Sequence, residues 1–297
     1  MSPQAKRQCV TYLMTEKKYS QRKACQLVGI SRSSARYKTQ QKASEVKLRT
    51  DIRDLANRHK TYGYRRITAL LRREGSKKIN KKRVHRIWKA EGLQVPHRKH
   101  KKRRYGPKGE VIHKAEYSNH VWSYDFVEDR TEKGGRLRIL TVMDEFTRES
   151  LAILVDRSIR SAQVINLLEW LFLVWGVPEY IRSDNGPEFI ALAIQEWLEQ
   201  RQCKTIYITP GSPWENPYIE SFIGKLRQEC LDRYLFGNVQ EAQEILEHWR
   251  HEYNHYRPHS SLGYLTPVEF AGRCLKIPLK KDMGILSYGQ EASLLSF

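Results

Sequence analysis

Three carboxylates have sequence contexts that suit metal ligands better than solvated surface charges. Asp125 lies in the aromatic and β-branched run VWSYDFVED, Asp184 ends the apolar run EYIRSD before an Asn-Gly pair, and Glu220 lies in NPYIESFIGKLRQE. Between Asp184 and Glu220 there are 35 residues. Converging carboxylates can hold two divalent cations, the arrangement that supports phosphodiester cleavage and transfer. The sequence therefore predicts a site for two Mg²⁺ or Mn²⁺ ions, because both prefer hard oxygen ligands.

Each of these carboxylates also has an ordinary structural interpretation. Asp125 could point outward from a strand, Asp184 could form a turn, and Glu220 could be a first-turn helix acid favoured by the helix dipole. Four other carboxylates compete for the role of ligand: Glu128, Asp129, Asp144 and Glu188. Asp144 is the strongest competitor, because it falls at the end of a predicted strand. We expect Asp125 to bridge the two ions, while Asp184 and Glu220 hold one ion each.

Positive charge is concentrated in the N-terminal part of the chain. The formal charge is +20 over 297 residues, yet residues 1–116 contain 34 Lys and Arg against 8 Asp and Glu. Residues 117–297 contain 19 Lys and Arg against 25 Asp and Glu. A polycation joined to a mildly acidic domain predicts a polyanionic partner, and nucleic acid is the commonest one.

The sequence also predicts a cytoplasmic location. The five cysteines are scattered without a C-x-x-C pair, which fits a reducing compartment and argues against a cysteine-type zinc site. The N-terminal residues MSPQAKRQCV lack the apolar segment of a signal peptide. The longest apolar stretch, residues 164–177, contains Asn166, Glu169 and Gly176, so we expect no membrane association.

Residues 16–38 show the outline of a helix-turn-helix. Ser20 and Ser31 are placed to cap two short helices, and Gly29 is placed to end the first. Three apolar residues are expected to face inward: Ala24, Leu27 and Val28. Four residues are expected to face a DNA groove: Arg32, Ser33, Arg36 and Tyr37. A plain helical hairpin fits the same pattern.

Three further helices are predicted at 45–59, 64–74 and 81–91 from their apolar stripes. Asn80 is placed to cap the third helix. Its inward residues are Val84, Ile87 and Trp88, and its cationic face consists of Lys81, Lys82, Arg83, Arg86 and Lys89. Such a face is suited to DNA phosphates, although a solvated charged surface would have the same composition. After it comes a Pro- and Gly-containing basic linker, in which Lys101, Lys102, Arg103 and Arg104 could follow a DNA backbone.

The pattern changes to α/β after residue 117. Strands are predicted at 121–127, 137–146 and 150–156 with a hairpin turn at 133–136, then helix 161–176, strand 179–184, helix 187–202 and strand 204–210. This order predicts a ribonuclease-H-like α/β core with a mixed five-stranded sheet, preceded by an all-α helix-turn-helix-type region. Asp125 then lies within the first strand and Asp184 at the end of the fourth, on strands that can be neighbours. We expect a helix-turn-helix-like segment (1–42), a basic helical DNA-binding domain (43–95), a basic linker (96–116), the catalytic core (117–275) and a C-terminal tail (276–297).

Basic residues follow Glu220 on its predicted helix. Lys225 is five positions on, and Arg227 is two turns away on the same face, placed to hold a DNA phosphate beside the metals. A solvated helix cation is the alternative.

The motifs DFVED, SDNGPEF, NPYIESFIGKLRQE and YNHYRPHSSLGYLTP resemble those of the integrase-type transposases of bacterial insertion sequences, specifically the second-frame product of the IS-three family. The resemblance covers roughly residues 10–275. The family's catalytic acids match Asp125, Asp184 and Glu220, and its later basic residue, more often Lys, matches Arg227. Its closing motif matches Asn254, Arg257, Pro258, His259, Leu262 and Gly263. The residues alone indicate only a helix end and a Pro-containing loop there.

The resemblance implies Mg²⁺-dependent cutting at the ends of the element and strand transfer through a circular intermediate. Its partners would be the terminal inverted repeats and target DNA, bound by a homo-oligomer. In that family a first-frame protein with a leucine zipper can be fused by frameshifting, and this chain shows no sustained heptad repeat. Two alternatives stay open: a catalytically silent DNA-binding regulator or domesticated transposase, and a metal-dependent nuclease without joining activity.

Overall fold

The computed structural model describes residues 1–37, 43–75, 78–95, 114–183, 192–208 and 215–274. Several predicted site residues lie outside these ranges: Lys101, Lys102, Arg103, Arg104, Asp184 and the competitor Glu188. The chain forms two compact units, Met1–Asp54 and Leu55–Phe297. The domain boundaries expected from the sequence stay a prediction. No helix in the described ranges is long and apolar enough to cross a membrane.

The first unit contains the predicted helix-turn-helix outline. Its helices are α1 (Pro3–Thr15), α2 (Gln21–Val28) and α3 (Arg32–Arg36). The side chains of Ser20 and Ser31 accept backbone hydrogen bonds at the starts of α2 and α3, and Gly29 ends α2 with φ of 64°. These predicted caps are confirmed, because each serine satisfies an N–H that the first helical turn leaves unpaired.

The packing of α2 differs from the prediction in one respect. Val10 of α1, a helix that the sequence did not predict, is buried together with Ala24 and Cys25. Leu27 is 61% exposed, so its predicted inward position was wrong. Because α1 covers the side of α2 that carries Ala24 and Cys25, Leu27 is left on the solvent side.

Helices α4 (Ala43–Arg58), α5 (Tyr64–Arg73) and α6 (Lys81–Ala90) match the three predicted helices. The apolar residues that form the stripes of these three helices are buried: Leu48, Ile52, Leu55, Ala56, Ile67, Leu70, Leu71, Val84, Ile87 and Trp88. The side chain of Asn80 accepts a hydrogen bond from the backbone N–H of Lys82 at 2.8 Å, as predicted for a cap. On the cationic face of α6, Arg83 is half-buried and the other four basic residues are exposed.

The five strands form one mixed sheet in the order β3-β2-β1-β4-β5. They are β1 (Val121–Arg130), β2 (Arg136–Asp144), β3 (Ser150–Asp156), β4 (Tyr180–Ser183) and β5 (Lys204–Tyr207). The first three strands are antiparallel, whereas β4 runs parallel to both β1 and β5. The predicted hairpin turn is present, with Gly134 at φ of 79° where only glycine is unstrained.

Helices cover both faces of the sheet. On one face, α7 (Ser161–Trp175) and α8 (Leu192–Gln200) form an apolar core with Trp122 and Tyr124 of β1. On the other face lie α9 (Pro217–Leu226), a π-helical turn (Arg227–Leu231) and α10 (Val239–His255). A 3-10 turn (Ser260–Leu262) and α11 (Pro267–Cys274) follow.

Helix α10 also covers the edge strand β3 through three polar side chains. Gln243, Arg250 and Asn254 lie at intervals of seven and four residues, so they share one side of the helix. Their side chains bond to backbone groups of β3, and Asn254 both accepts from the N–H of Ser150 and donates to its carbonyl, each at 2.9 Å. These bonds satisfy edge groups that could otherwise pair with another strand.

Candidate active site

Asp125 lies on the sheet face that α9 and α10 cover. Residues of a strand alternate between faces, so Asp125 is on the same side as Val127, which is buried with Ile219 and Phe222 of α9. The hydroxyl of Thr141 on β2 donates to the backbone carbonyl of Asp125 at 3.1 Å. This contact holds the strand in register at the position of the carboxylate, which is half-buried.

Glu220 is presented to the same side of the sheet by the first turn of α9. Helix α9 begins at Pro217, a residue suited to a first helical position, and it packs against β1. Ile219 and Phe222 are fully buried, so the positions on either side of Glu220 anchor the helix. The carboxylate itself is exposed, and partial desolvation raises its pKa. The packing of α9 on β1 therefore places the helix that carries Glu220 on the face of the sheet that carries Asp125.

The strand that leads to Asp184 is the direct neighbour of β1. Arg182 of β4 pairs with Ser123 of β1 in parallel register, which confirms the prediction that these strands are neighbours. Asp184 itself lies outside the described residues.

A buried ion pair connects this strand to the start of α9. The Nε of Arg182 donates to Oε1 of Glu145 at 2.8 Å, and its Nη1 donates to the carbonyl of Glu215 at 3.1 Å, just before α9. The side chains of Arg182 and Glu145 are 2% and 0% exposed. Burial raises the pKa of Glu145, and the positive charge of Arg182 opposes that rise. Ser123 of β1 also donates to Glu145, so β1 and β4 both donate a hydrogen bond to this one carboxylate.

A second contact holds α9 from the β2–β3 turn. The guanidinium of Arg148 lies 3.7 Å from the ring centre of Tyr218, two residues before Glu220, and bonds to the carbonyl of Glu145. The sequence interpretation missed Glu145, Arg148 and Arg182. The signal that could have found Arg182 is its position in a four-residue strand that is otherwise apolar or small.

Asp144 has a structural role, although its position at the end of β2 made it the strongest competitor. It is buried, and its carboxylate accepts from the backbone N–H groups of Asn119 and Phe146 at 2.7 Å and of Thr147 at 2.9 Å. These bonds use its oxygens to shape the turn between β2 and β3. Of the other competitors, Glu128 is exposed and pairs with Arg136.

The donor set suits a hard divalent cation. Asp125 and Glu220 offer carboxylate oxygens on one side of the sheet, and Mg²⁺ and Mn²⁺ prefer such ligands. Desolvation raises the pKa of Glu220, and a bound cation would offset this by stabilising the ionised carboxylate. Within the described ranges, His, Cys, Asp and Glu side chains do not converge in groups of three or more. Asp184 lies outside those ranges.

Comparison with known proteins identifies the family. Two family models described as integrase core domain match residues 115–213 and 201–267, and one described as HTH-like domain matches residues 43–101. The chain is 38% identical over 91% of its length to a protein of insertion element IS476 from Xanthomonas euvesicatoria, of which it covers 78%. It is 29% identical over 74% of its length to the transposase of insertion sequence element IS904 from Lactococcus lactis, of which it covers 91%. This chain belongs to the insertion-sequence transposases.

This transposase is also 39% identical over 86% of its length to a protein of insertion element IS407 from Burkholderia multivorans, of which it covers 91%. The mixed five-stranded sheet with helices on both faces confirms the predicted ribonuclease-H-like core, and the HTH-like match confirms the helical region before it.

Two predicted DNA contacts of the transposase follow Glu220. Lys225 is half-buried, and its Nζ donates to Oγ of Ser221 at 2.9 Å. Burial, together with the positive charge of Arg257, lowers the pKa of Lys225 to about 7. Arg227 is exposed, and its Nη2 donates to the carbonyl of Glu128 at 3.3 Å. Lys225 therefore lies half-buried on the helix that carries Glu220, and Arg227 lies at the surface in the π-helical turn that continues this helix.

The predicted contacts of the N-terminal unit have different surroundings. Arg36 donates through Nε and Nη2 to Oε1 of Gln21, at 3.0 and 2.7 Å. This bond joins α3 to α2 and competes with a DNA contact of Arg36. Arg32 is exposed at the start of α3.

Proposed function

We propose that this transposase cuts DNA at the ends of an insertion element and joins those ends to target DNA, with Asp125, Asp184 and Glu220 as its catalytic carboxylates. The observation that supports the proposal is that α9, the helix that carries Glu220, packs on the face of β1 that carries Asp125. Arg182 supports it, because it connects the strand that precedes Asp184 to the start of α9.

The three carboxylates would hold two Mg²⁺ or Mn²⁺ ions. When bound, such ions activate the attacking hydroxyl or water and stabilise the leaving oxygen. The remaining residues position groups around them. Arg182 and Arg148 hold the first turns of α9, so the carboxylate of Glu220 keeps one orientation. Lys225 and Arg227 would bind phosphates of the DNA beside the reacting one.

The basic regions would deliver the DNA. The exposed cations of α6, together with Arg32 of the first unit and the basic linker that includes Lys101, supply the charge that neutralises phosphates. The acidic balance of residues 117–297 makes this division of roles necessary, because the catalytic domain alone would repel DNA. We propose terminal inverted repeats and target DNA as the ligands, bound by a homo-oligomer.

The test compares Asp125→Asn, Asp184→Asn and Glu220→Gln with the wild type on DNA that carries the element's own ends, in Mg²⁺. Each variant loses one ligand oxygen charge, so cleavage and joining should fall below detection while DNA binding persists. Asp144→Asn is the matched control, and its folded fraction should still cut and join. Strand transfer by Asp125→Asn at the wild-type rate would contradict the assignment. Cut products without joined products would instead indicate a nuclease.

A further inference from the structure

We propose that the Arg257–Glu229 pair positions the helix that carries Glu220 and connects it to helix α5 of the HTH-like segment. This role rests on the proposed function, because it concerns the orientation of a catalytic carboxylate. It also assigns a structural role to the closing motif, whose residues alone indicated only a helix end and a loop.

The pair joins the closing motif to the direct continuation of α9. Arg257 donates through Nε to Oε2 of Glu229 at 2.8 Å and through Nη2 to Oε1 at 2.6 Å. Their side chains are 2% and 8% exposed. Glu229 lies in the π-helical turn, where the N–H of Asp232 donates to the carbonyl of Arg227 at 2.8 Å. Since this turn continues α9 without a break, two parallel hydrogen bonds fix its rotation and hence that of Glu220.

The rest of the motif holds Arg257 in place. The side-chain amide of Asn254 is bonded to the backbone of Ser150, which anchors the end of α10 to β3. The ring of His259 lies edge-on to Tyr253 at 4.6 Å, and burial lowers the pKa of His259 to about 2, so it stays neutral. Gly263 has φ of 64°, a conformation that other residues adopt only with strain.

Helix α5 reaches the same pair from the other side. Arg66 lies with Nη1 at 3.7 Å from Oε1 of Glu229, and its guanidinium is 5.3 Å from the ring centre of Tyr62. The guanidinium of Arg257 is 5.8 Å from that same ring. The ring of Tyr62, just before α5, therefore lies near one arginine of α5 and one of the closing motif, which places the start of α5 against the pair.

The far end of α5 is attached to the loop of the closing motif. Arg73 donates through Nη1 to the carbonyl of Tyr256 at 3.2 Å and through Nη2 to that of Tyr264 at 3.1 Å. It also pairs with Glu269 of α11. Both ends of α5 thus contact residues that surround Arg257, so the orientation of the HTH-like helix and that of α9 depend on the same pair.

Charge explains why Glu229 in particular matters. Arg66, Lys225 and Arg257 all lie close enough to one another for their charges to interact, and Glu229 attracts all three. Removing its charge leaves three neighbouring cations without this carboxylate, so α9 and α5 should move apart. A buried pair could instead serve stability alone, which makes a control pair essential.

The chain offers such a control in Arg250 and Glu247. Arg250 donates through Nε to Oε2 of Glu247 at 2.8 Å and bonds through Nη1 to a backbone carbonyl of β3, but the pair lies on α10 and not on α9. The experiment compares the near-isosteric variants Glu229→Gln and Glu247→Gln in the full chain. It measures hydrogen exchange of residues 217–226, DNA affinity, and the single-turnover cleavage rate at saturating element-end DNA.

We expect Glu229→Gln to raise exchange in residues 217–226 and to lower the cleavage rate about 10- to 100-fold, the usual effect of losing a group that orients a metal ligand. DNA affinity should change less than about threefold, since no predicted phosphate contact is removed. Glu247→Gln should show neither effect. Arg66→Gln, a milder change at a half-buried residue, should shift exchange and rate in the same direction by a smaller factor.

Three results would overturn the positioning role. They are unchanged exchange in residues 217–226 of Glu229→Gln, equal effects of Glu229→Gln and Glu247→Gln, or a parallel loss of DNA affinity and rate. If the wild type neither cuts nor joins DNA, the proposed function fails, yet the exchange comparison still decides whether Glu229 orients the helix.

Discussion

The two faces of the sheet differ in the kinds of residue that they bury. The face under α7 and α8 is an apolar core in which Trp122, Leu171 and Ile181 are buried together. The face under α9 and α10 has a similar apolar floor that includes Phe222. It also buries charged and polar groups such as Arg182.

This difference indicates where buried residues fix the direction of a helix as well as stabilise the fold. A buried ion pair stabilises a protein no better than well-packed apolar residues, and removing one partner leaves a costly unpaired charge. The pairs Arg182–Glu145 and Arg257–Glu229 both touch α9 or its continuation. We infer that these pairs fix the direction of the helix that carries Glu220, which apolar contacts alone define less sharply.

The largest effect should come from breaking the pair at the start of α9. Arg182→Met leaves the carboxylate of Glu145 buried without its cation, and we expect a loss of roughly 3–5 kcal/mol in the free energy of unfolding. The double variant Arg182→Met/Glu145→Leu should recover most of that stability, because an apolar pair fills the space. It should nevertheless stay defective in cleavage, since the contact to the carbonyl of Glu215 is gone. Urea unfolding and single-turnover cleavage measure the two quantities.

The apolar face supplies the control for that experiment. Leu171→Ala removes a fully buried side chain of α7, which should lower the free energy of unfolding by about 3 kcal/mol. Within the described residues, the apolar cluster that contains Leu171 includes no residue of α9. Its folded fraction should cleave DNA at the wild-type rate. Wild-type cleavage by the double variant Arg182→Met/Glu145→Leu would contradict the distinction between the faces. So would a folded fraction of Leu171→Ala that cleaves DNA as poorly as that double variant.

Local patterns explain why some of this arrangement could be predicted. Alternating and continuous apolar runs indicated all five strands, and serine, asparagine and glycine at helix ends indicated caps that the structure contains. Helix α1 was missed, because PQAKRQCVTYLMT has only a weak apolar stripe and becomes a core element through contacts with Ala24 and Cys25.

The positioning contacts could not be predicted, because they join residues that are distant in sequence. Arg257 and Glu229 are 28 positions apart, and Arg73 and Glu269 are 196 apart. Asp144 shows the reverse case. Its position suited a metal ligand, but only the fold reveals that three backbone N–H groups already use its oxygens.

A pH experiment extends the comparison to the β2–β3 turn, which buries Glu149 where the charge of Arg250 of α10 acts on it. Burial raises the pKa of Glu149 from its ordinary 4.5 to about 7. The folded state therefore favours the protonated form, so stability is fully present below pH 4.5 and is lost as pH rises to about 7. The shift corresponds to about 3 kcal/mol. Chemical denaturation at several pH values should show this loss in the wild type and not in Glu149→Gln. Equal pH dependence in both proteins would contradict the role of Glu149.

The smallest predicted effect concerns two buried hydroxyl groups, of which one donates a hydrogen bond and the other has no partner within the described residues. Ser123 and Ser150 are both fully buried, but Ser123 donates to Glu145, whereas the hydroxyl of Ser150 has no partner within the described residues. Ser123→Ala should lower the free energy of unfolding by roughly 1–3 kcal/mol, because a hydrogen bond to a buried carboxylate is lost. Ser150→Ala should be neutral or stabilising, since it removes a buried hydroxyl that gains nothing. Thermal denaturation measures both variants. If Ser123→Ala and Ser150→Ala lose equal stability, the hydrogen bond of Ser123 contributes nothing to the folded state. The contrast between the two faces would then rest on apolar packing alone.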